Sequence, residues 1–205
     1  MTTPVTRARA TKGERTRRRI VERAAALFNT RGVAGASMAD VSEAAGLEKG
    51  GVYNHFESKD ALALAAFEYA AALVLDRIDR ALAAHAPGLP QVLALIDVYR
   101  GVVEKPPLAG GCPLLNTAIE ADDTNPALRA RAREAIGRWR AHVVAALERA
   151  VALGLLQPVD VESLATLTIA SIEGGVMLAK LYREPAHIER VADELTRYFQ
   201  TLRRR

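Results

Sequence analysis

Apolar residues recur every three to four positions along most of the 205-residue chain, and this period constrains the fold more than any other feature. The longest stripe lies between a cap at Asn125-Pro126 and a stop at Gly154. Its members are Leu128, Ala132, Ile136, Trp139, Val143, Leu147 and Val151. Residues three or four apart lie on one face of an α-helix, so each stripe predicts a helix with one buried face. Because the short alternating runs typical of strands are absent from the sequence, we expect an all-α protein.

Caps and breaks divide the pattern into about nine helices with no internal repeat. A capping box over residues 37–40 opens helix 38–45, residues 49–56 are long enough for a short helix 49–55, and Ser58 caps a long helix over 59–84. The remaining predictions are an N-terminal helix that ends at Arg31-Gly32, and helices over 90–103, 113–122, 126–153, 160–183 and 186–204. We expect two domains, residues 1–57 and residues 58–205.

Positive charge is concentrated at the N-terminal end of the chain. Residues 1–60 contain 11 Lys/Arg and 7 Asp/Glu, whereas the remaining residues contain 17 of each. The whole net charge of +4 therefore comes from the first part. This asymmetry predicts a polyanionic partner for that end of the molecule, with a solvated basic tail as the alternative.

The lack of a recognisable signal peptide or membrane span in the sequence, together with its single cysteine, favours a cytoplasmic protein. The basic N-terminus lacks the apolar stretch of a signal peptide, and no run approaches the roughly 18 uninterrupted apolar residues of a membrane span. The single cysteine, Cys112, cannot form an internal disulfide, which fits a reducing compartment.

Enzyme and metal-site motifs are absent from the sequence: it has no HExxH, GxSxG, phosphate loop or paired-cysteine site. We therefore expect neither an enzyme nor a bound cofactor or metal. Two alternatives remain open at this point. One is an all-α enzyme with an unrecognised site, and the other is a DNA-binding adaptor with a protein partner.

The segment GGVYNHF, residues 50–56, combines two glycines, three aromatic rings and an asparagine between two lysines. With helix 38–45 and the glycine turn before it, the segment has the dimensions of a helix-turn-helix, whose second helix enters the major groove of DNA. Gly50 and Gly51 remove bulk where the backbone approaches phosphate, and Asn54 suits pairing with adenine. Side chains able to reach phosphate are Lys49, Tyr53, His55 and Lys59, while Val52 and Phe56 can hold the helix to its domain. A helix packed on the core, with ordinary rim residues, is the alternative.

Residues 18–62, RRIVERAAALFNTRGVAGASMADVSEAAGLEKGGVYNHFESKDAL, resemble the N-terminal domain of the TetR family of transcriptional regulators. The resemblance includes the A-x-x-L-F-x-x-x-G block over 24–32 and the run from AAGLEKGG onward. It implies a three-helix DNA-binding domain, joined by a long fourth helix to an all-α ligand-binding and dimerisation domain. By motif position it implies phosphate contacts at Ser37, Lys49, Tyr53, His55 and Lys59, and a recognition helix carrying Gly50, Gly51, Val52 and Asn54. Gly51 departs from the family, which often has Thr or Ser there, so a hydroxyl contact is absent.

The C-terminal part predicts dimerisation. Helix 160–183 is apolar around most of its circumference and contains Gly174-Gly175, which permits close helix approach. The resemblance implies a homodimer built from helices 160–183 and 186–204, and the alternative is a core within one chain. Two recognition helices about 34 Å apart can read a palindromic double-stranded DNA operator.

The resemblance also implies a small-molecule effector, bound among the middle helices, that releases a repressor from its operator. Candidate contacts are polar or aromatic residues on otherwise apolar helices, each of which is alternatively a satisfied core or surface group: Tyr99, Asn116, Glu120, Trp139, His142 and Glu173.

Cys112 is a separate candidate because it follows Gly-Gly and precedes Pro113 at a predicted helix start. The positive end of a helix dipole lowers a thiol pKa, which predicts a reactive thiolate. The run GGCPLLNTAIEADDTNPAL also resembles a TetR subgroup with Gly-Cys-x-x-x-Asn-x-x-x-Glu, in which some members sense electrophiles or oxidants. That resemblance implies Lys180 as a neighbour of the thiol. The alternative is a buried, inert cysteine.

Overall fold

The computed structural model describes residues 11–48, 50–102 and 104–204. These ranges contain eight helices. They are α1 (Lys12–Arg31), α2 (Met38–Ala44), α3 (Lys59–Ala84), α4 (Leu89–Asp97), α5 (Pro113–Ala121), α6 (Pro126–Ala152), α7 (Val161–Tyr182) and α8 (Ala186–Thr201). The described residues form no strand, and their one β-type pairing is an isolated bridge between Leu156 and Arg203. The all-α prediction is confirmed, with eight helices in place of about nine.

Residues 50–55 form successive turns instead of the predicted helix 49–55. The backbone N–H groups of Gly51, Tyr53 and His55 each donate to the carbonyl three residues earlier, and Phe56 N–H donates four residues back. Gly50 has a φ of 89°, which lies outside the helical region. Glycine also loses more backbone entropy in a helix than any other residue. The glycine pair therefore disfavours a regular helix in this segment.

Helices α3 and α6 are the central members of the bundle. Helix α1 packs against α2 and α3, and α3 also contacts α4, α5 and α6. Helix α6 also contacts α4, α5 and α7, while α7 and α8 pack against each other. A helix of 26 residues such as α3 is about 39 Å long. It therefore joins the N-terminal helices to the larger helical part, and one apolar core extends from Ile20 to Phe199.

Capping residues begin the helices at the predicted positions. Ser37 Oγ accepts a hydrogen bond from Asp40 N–H, and the Asp40 carboxylate accepts one from Ser37 N–H. The Asn125 and Asp160 side chains cap α6 and α7 by accepting hydrogen bonds from the N–H groups of Leu128 and Ser163. Helix α4 ends earlier than predicted, at Asp97, because residues 98–102 form turns in which Gly101 has a φ of 65°.

Helix α7 is long and apolar enough to cross a membrane, judged by length and composition alone, and 44% of its most apolar stretch is buried in the bundle. A core helix of a helical bundle has the same composition. The buried side packs against α6 and α8. Leu167 and Leu181 are exposed, and their spacing of fourteen places them on one face of α7. The helix thus has one face in the core and a second apolar face at the surface.

Candidate nucleic-acid interface and buried polar cluster

The turn segment 50–55 separates its polar side chains from its apolar ones. Tyr53 is 59% exposed, Asn54 is exposed and His55 is half-buried. Val52 and Phe56 are buried in the core. Val52 was predicted both to hold the segment and to lie along a recognition helix. Its burial removes its side chain from the surface that can face DNA.

Neighbouring helices hold this segment in place. The Arg17 guanidinium of α1 lies over the Phe56 ring, 4.5 Å from its centroid, which is a cation–π contact. Ser37 is exposed and caps α2, and its hydrogen bonds hold the pKa of Asp40 below the ordinary value. Lys59 is the half-buried first residue of α3. The predicted contact Lys49 lies outside the described residues.

Cys112 is the buried N-cap residue of α5, and its Sγ donates a hydrogen bond to Glu173 Oε1 at 3.0 Å. Burial raises the thiol pKa well above its ordinary value, and the charge and hydrogen bond of Glu173 raise it further. Backbone N–H groups of Leu115 and Leu114 oppose this rise but are outweighed. The predicted lowering of the thiol pKa is therefore wrong, and the sensor interpretation of Cys112 has no support here.

Glu173 is a partly buried carboxyl group on α7. Burial raises its pKa to about 7, and the hydrogen bond from Cys112 acts in the opposite direction. Its second oxygen, Oε2, is buried without a hydrogen-bond partner among the described residues. An interior carboxyl group in this condition is a candidate functional group.

Tyr99 and Trp139 extend the environment of Glu173 towards α6. Their rings stack with centroids 5.0 Å apart and planes 22° apart, and both side chains are buried. Burial raises the pKa of Tyr99 well above its ordinary value, with further increases from the charges of Cys112 and Glu173. Tyr99 Oη and Trp139 Nε1 also lack partners among the described residues. We call Tyr99, Cys112, Trp139 and Glu173 the buried polar cluster.

Asn116 lies at the junction between the helical bundle and α1 instead of in the buried polar cluster. Its Nδ2 donates to Asn29 Oδ1 at 2.9 Å, to Asn29 O at 3.2 Å and to Gly110 O at 2.9 Å. Asn29 Nδ2 donates in turn to the carbonyls of Ala109 and Gly111, at 2.8 and 3.1 Å. We call Asn29, Gly110 and Asn116 the asparagine bridge.

The loop of the asparagine bridge approaches α1 and α7 closely. An added Cβ at Gly110, where φ is 106°, would lie 2.3 Å from Asn29 O, so only glycine fits there. Lys180 Nζ donates to Gly110 O at 2.6 Å. Lys180 therefore acts on the loop, and it is not among the groups that shift the pKa of Cys112.

Two further predicted residues lie outside the buried polar cluster. Glu120 Oε1 accepts a hydrogen bond from Ala34 N–H at 2.9 Å, which connects α5 to the loop between α1 and α2. His142 Nε2 lies 3.1 Å from Asp79 Oδ1, between α6 and α3. Within the described ranges, no group of three or more His, Cys, Asp or Glu side chains could hold a metal ion.

Asn29 and Gly110 were not identified as residues of interest from the sequence alone. Asn29 is buried in spite of its polar side chain, and it interrupts the apolar face of α1 directly after Phe28. A polar residue in that position is a signal for an internal hydrogen-bond partner. The partner is 87 positions away in sequence, so the signal alone does not identify it.

A short capped helix, a turn segment with exposed polar side chains and a long helix leading into a bundle form the architecture of a helix-turn-helix transcriptional regulator. The profile of the bacterial regulatory proteins of the tetR family matches residues 20–66. The profile of the tetracyclin repressor-like C-terminal domain matches residues 88–195. The chain belongs to the TetR family. It is a DNA-binding transcriptional regulator and not an enzyme.

Three relatives illustrate the similarity. A TetR transcriptional regulator from Chloroflexus aurantiacus is 48% identical, with a TM-score of 0.91, over 94% of this chain and 98% of that one. A helix-turn-helix-type transcriptional regulator of Mycobacterium tuberculosis is 30% identical, over 87% of this chain and 91% of the relative. The helix-turn-helix-type transcriptional repressor DhaR of a Mycobacterium species is 25% identical, over 82% of this chain and 83% of that protein.

Proposed function

We propose that this protein is a homodimeric repressor that binds a palindromic operator and is released when a small molecule enters the helical bundle. The main observation behind this proposal is the asparagine bridge. Gly110 and Cys112 are two residues apart, so the buried polar cluster adjoins the loop that is hydrogen-bonded to α1. A change around the cluster therefore reaches the helix that packs on the DNA-binding segment. Operator DNA lies in the cytoplasm, which is then where the protein acts.

The proposed DNA contacts come from the exposed part of segment 50–55 and its flanks. Asn54 reads a base edge, and Tyr53 and His55 contact phosphate, since all three have solvent-accessible side chains. Small glycines permit close approach of the backbone at the start of the segment. The remaining proposed phosphate contacts are Ser37, Lys49 and Lys59, and Gly50 and Gly51 lie where the backbone comes close to the DNA.

A second copy of the chain is the proposed partner of the α7–α8 face. This face contains a cavity of about 410 Å³ between the two helices. Leu167 and Tyr198 line it and are 47% and 42% exposed. Leu181 and Tyr182, at the end of α7, are 69% and 63% exposed. Large exposed apolar side chains grouped on adjacent helices favour burial against another protein surface.

Release requires that the effector binds one arrangement of the bundle more tightly than the other. A coupling free energy of about 1–3 kcal/mol gives roughly 5–150-fold weaker operator binding. Repression, as opposed to activation, is supported by the similarity to DhaR, a repressor. An adaptor that needs no effector has no such support, because it leaves the unpartnered atoms of the buried polar cluster without a role.

The proposal is tested on a palindrome from the region upstream of the protein's own gene. We expect wild-type protein to bind this duplex more tightly than a scrambled duplex of equal composition, and to be released by one class of metabolite. Fluorescence anisotropy of the labelled duplex measures both effects. Equal affinity for the two duplexes would contradict operator recognition, and specific binding that no metabolite weakens would contradict effector control.

A further inference from the structure

The buried polar cluster contains three polar atoms without a hydrogen-bond partner among the described residues: Tyr99 Oη, Trp139 Nε1 and Glu173 Oε2. Interior polar atoms are normally paired, because an unpaired one loses its hydration without compensation. The three side chains lie in one contiguous group, since Tyr99 stacks on Trp139 and interacts electrostatically with Glu173. Tyr99 and Cys112 line the same small cavity, and Glu173 accepts a hydrogen bond from Cys112, so the unpaired oxygens of Tyr99 and Glu173 indicate that a hydrogen-bond donor belongs beside them.

Glu173 also lacks a cationic partner within the described part of the chain. Among the described residues, Arg77 of α3 lines the cavity beside Tyr99 and Cys112, and Lys180 of α7 reaches the loop before α5. Arg77 donates to Val98 O at 2.9 Å, and Lys180 donates to Gly110 O. Among the described residues, neither forms an ion pair with Glu173. An interior carboxylate is stabilised most by a positive charge at hydrogen-bond distance, so a cation is the partner that suits Glu173 best.

We propose that the buried polar cluster is the recognition site for a small organic ammonium ion, with Glu173 as its counter-ion. The inference rests on the proposed function, because this ion is then the effector. Its N–H groups donate to Glu173 Oε2 and Tyr99 Oη, and its carbon chain lies beside the Tyr99–Trp139 stack. Aromatic side chains attract cations and shield the carbon chain from water, so both parts of such a molecule are matched.

The site has to open before a ligand enters. The adjoining cavity, lined by Arg77, Tyr99, Pro107 and Cys112 among others, has a volume of about 10 Å³, which suits a single water molecule. An ammonium ion with a carbon chain therefore displaces the loop that precedes α5. The Gly110 carbonyl in that loop accepts hydrogen bonds from Asn116 and Lys180. Ligand entry thus disturbs the asparagine bridge, which connects recognition of the ion to operator release.

Trp139 provides a direct test because it is the only tryptophan in the chain and belongs to the site. Its fluorescence is followed while n-butylammonium is added, with 1-butanol as the neutral analogue and butyrate as the anionic one. We expect a saturable change for the ammonium ion and affinities weaker by about tenfold or more for both analogues. Equal or tighter binding of 1-butanol would overturn the proposal, because only a neutral hydrogen-bond donor would then be required. Tighter binding of butyrate would also overturn it and assign the site to Arg77.

Variants of two glutamates on α7 give a matched comparison. Glu173→Gln keeps the shape of the side chain and removes its charge, whereas Glu162→Gln removes an exposed charge that pairs with Arg140. We expect the first to weaken n-butylammonium binding by about tenfold or more and the second to leave it unchanged. Unaltered binding by Glu173→Gln, or no binding by wild type, would overturn the proposal.

The pH dependence of n-butylammonium binding distinguishes a charged form of Glu173 from a neutral one. Glu173, whose pKa is raised to about 7, must lose its proton to pair with the ammonium ion. The apparent affinity should therefore rise by up to about tenfold per pH unit below 7 and level off above it. Cys112 and Tyr99 have raised pKa values and keep their protons across this range. A flat profile in wild type would contradict the assignment of Glu173.

Operator release is measured in the same samples. Binding of n-butylammonium that never releases the operator would contradict the proposed effector control and leave the site intact. Release by another metabolite that is unaffected by Glu173→Gln would contradict the site and leave effector control intact.

Discussion

The side-chain amide of Asn116 donates to both the backbone carbonyl and the side-chain oxygen of Asn29, at 3.2 and 2.9 Å. Asn116 belongs to α5 of the bundle, and Asn29 belongs to α1, the helix whose Arg17 lies over Phe56 at the end of the turn segment. Asn29 is buried and Asn116 partly buried, so few alternative partners can reach the pair and its geometry is defined. It makes the position of α1 depend on the loop next to the buried polar cluster.

Replacement of Asn116 by Ala should uncouple the effector from the operator. The variant leaves buried carbonyl oxygens unpaired, so its free energy of unfolding should fall by about 1–3 kcal/mol. Effector-dependent release should decrease from roughly 5–150-fold to about threefold or less, because the loop no longer holds α1. Anisotropy titrations with and without effector measure this ratio. Thr117→Ala, one residue along α5, is the control. If the effector releases Asn116→Ala from the operator as strongly as it releases wild type, the bridge is not the coupling route.

Replacement of Lys59 and Asn54 should affect DNA binding in different ways. Lys59→Ala should weaken binding to all sequences and reduce the salt slope by about 0.9 for each phosphate that is no longer neutralised, hence about 1.8 for a dimer. Asn54→Ala should relax the preference at particular base pairs, each worth about 1–3 kcal/mol. Titrations at several salt concentrations on operator and point-substituted duplexes measure both. Lys105→Ala, an exposed lysine in the loop before α5, should change neither. An unchanged slope for Lys59→Ala would remove that residue from the interface.

Replacement of Leu181 by Glu should separate the proposed dimer. Leu181 is 69% exposed in the single chain, so a charge there leaves the protomer folded and introduces an uncompensated charge only when two copies meet. Sedimentation velocity at micromolar concentration should show monomers for this variant and dimers for wild type. Ile119→Glu is the control, because Ile119 is equally exposed but lies on α5. Charges at Ile188 or Leu195 are less informative, since both residues are buried in the protomer and their replacement unfolds it. Wild-type protein that sediments as a monomer would contradict the proposed dimer.

Cys112 should react slowly with alkylating agents. Burial and Glu173 raise its pKa, so the thiolate fraction at pH 7 is below the few per cent expected for an ordinary thiol of pKa about 8.5. Iodoacetamide labelling should be at least about tenfold slower in the folded protein than in urea, and its midpoint should lie above pH 8.5. Glu173→Gln should label faster than wild type. Fast labelling at pH 7, together with loss of operator release in Cys112→Ser, would restore the sensor interpretation.

The free energy of unfolding should decrease as the pH rises from about 4.5 to 7, because of Glu173. Its pKa is raised from 4.5 to about 7 on folding, so the folded chain binds more protons than the unfolded chain in this interval. The free energy of unfolding therefore falls as pH rises, by at most about 3 kcal/mol, and this contribution is constant above pH 7. Urea unfolding of wild type and Glu173→Gln at pH 5 and pH 8 measures the difference, with Glu162→Gln as the control. A difference that does not change with pH would mean that Glu173 is not protonated on folding.

The sequence by itself determined eight of the helices and the family. These properties depend on local information: the 3.6-residue period of apolar side chains, capping boxes such as that at Ser37, and the dense motif over residues 18–62. The same local information predicted a helix at 49–55, and there it was misleading. Flanking helices and the buried side chains Val52 and Phe56 hold residues 50–55 in turns, with the adjacent glycines lowering helix propensity.

Only the tertiary structure decided how the C-terminal residues are grouped. Asn116 and Glu120 resembled effector contacts in the sequence, yet they face α1 and Ala34 across long sequence separations. The helix dipole at Cys112 was visible in the sequence, whereas the burial and the Glu173 carboxylate, which dominate the thiol pKa, were not. Burial and long-range hydrogen bonds depend on which helices pack together, and the periodicity of one helix contains no information about its neighbours. That is why the helices and the family could be predicted, while the buried polar cluster and the asparagine bridge could not.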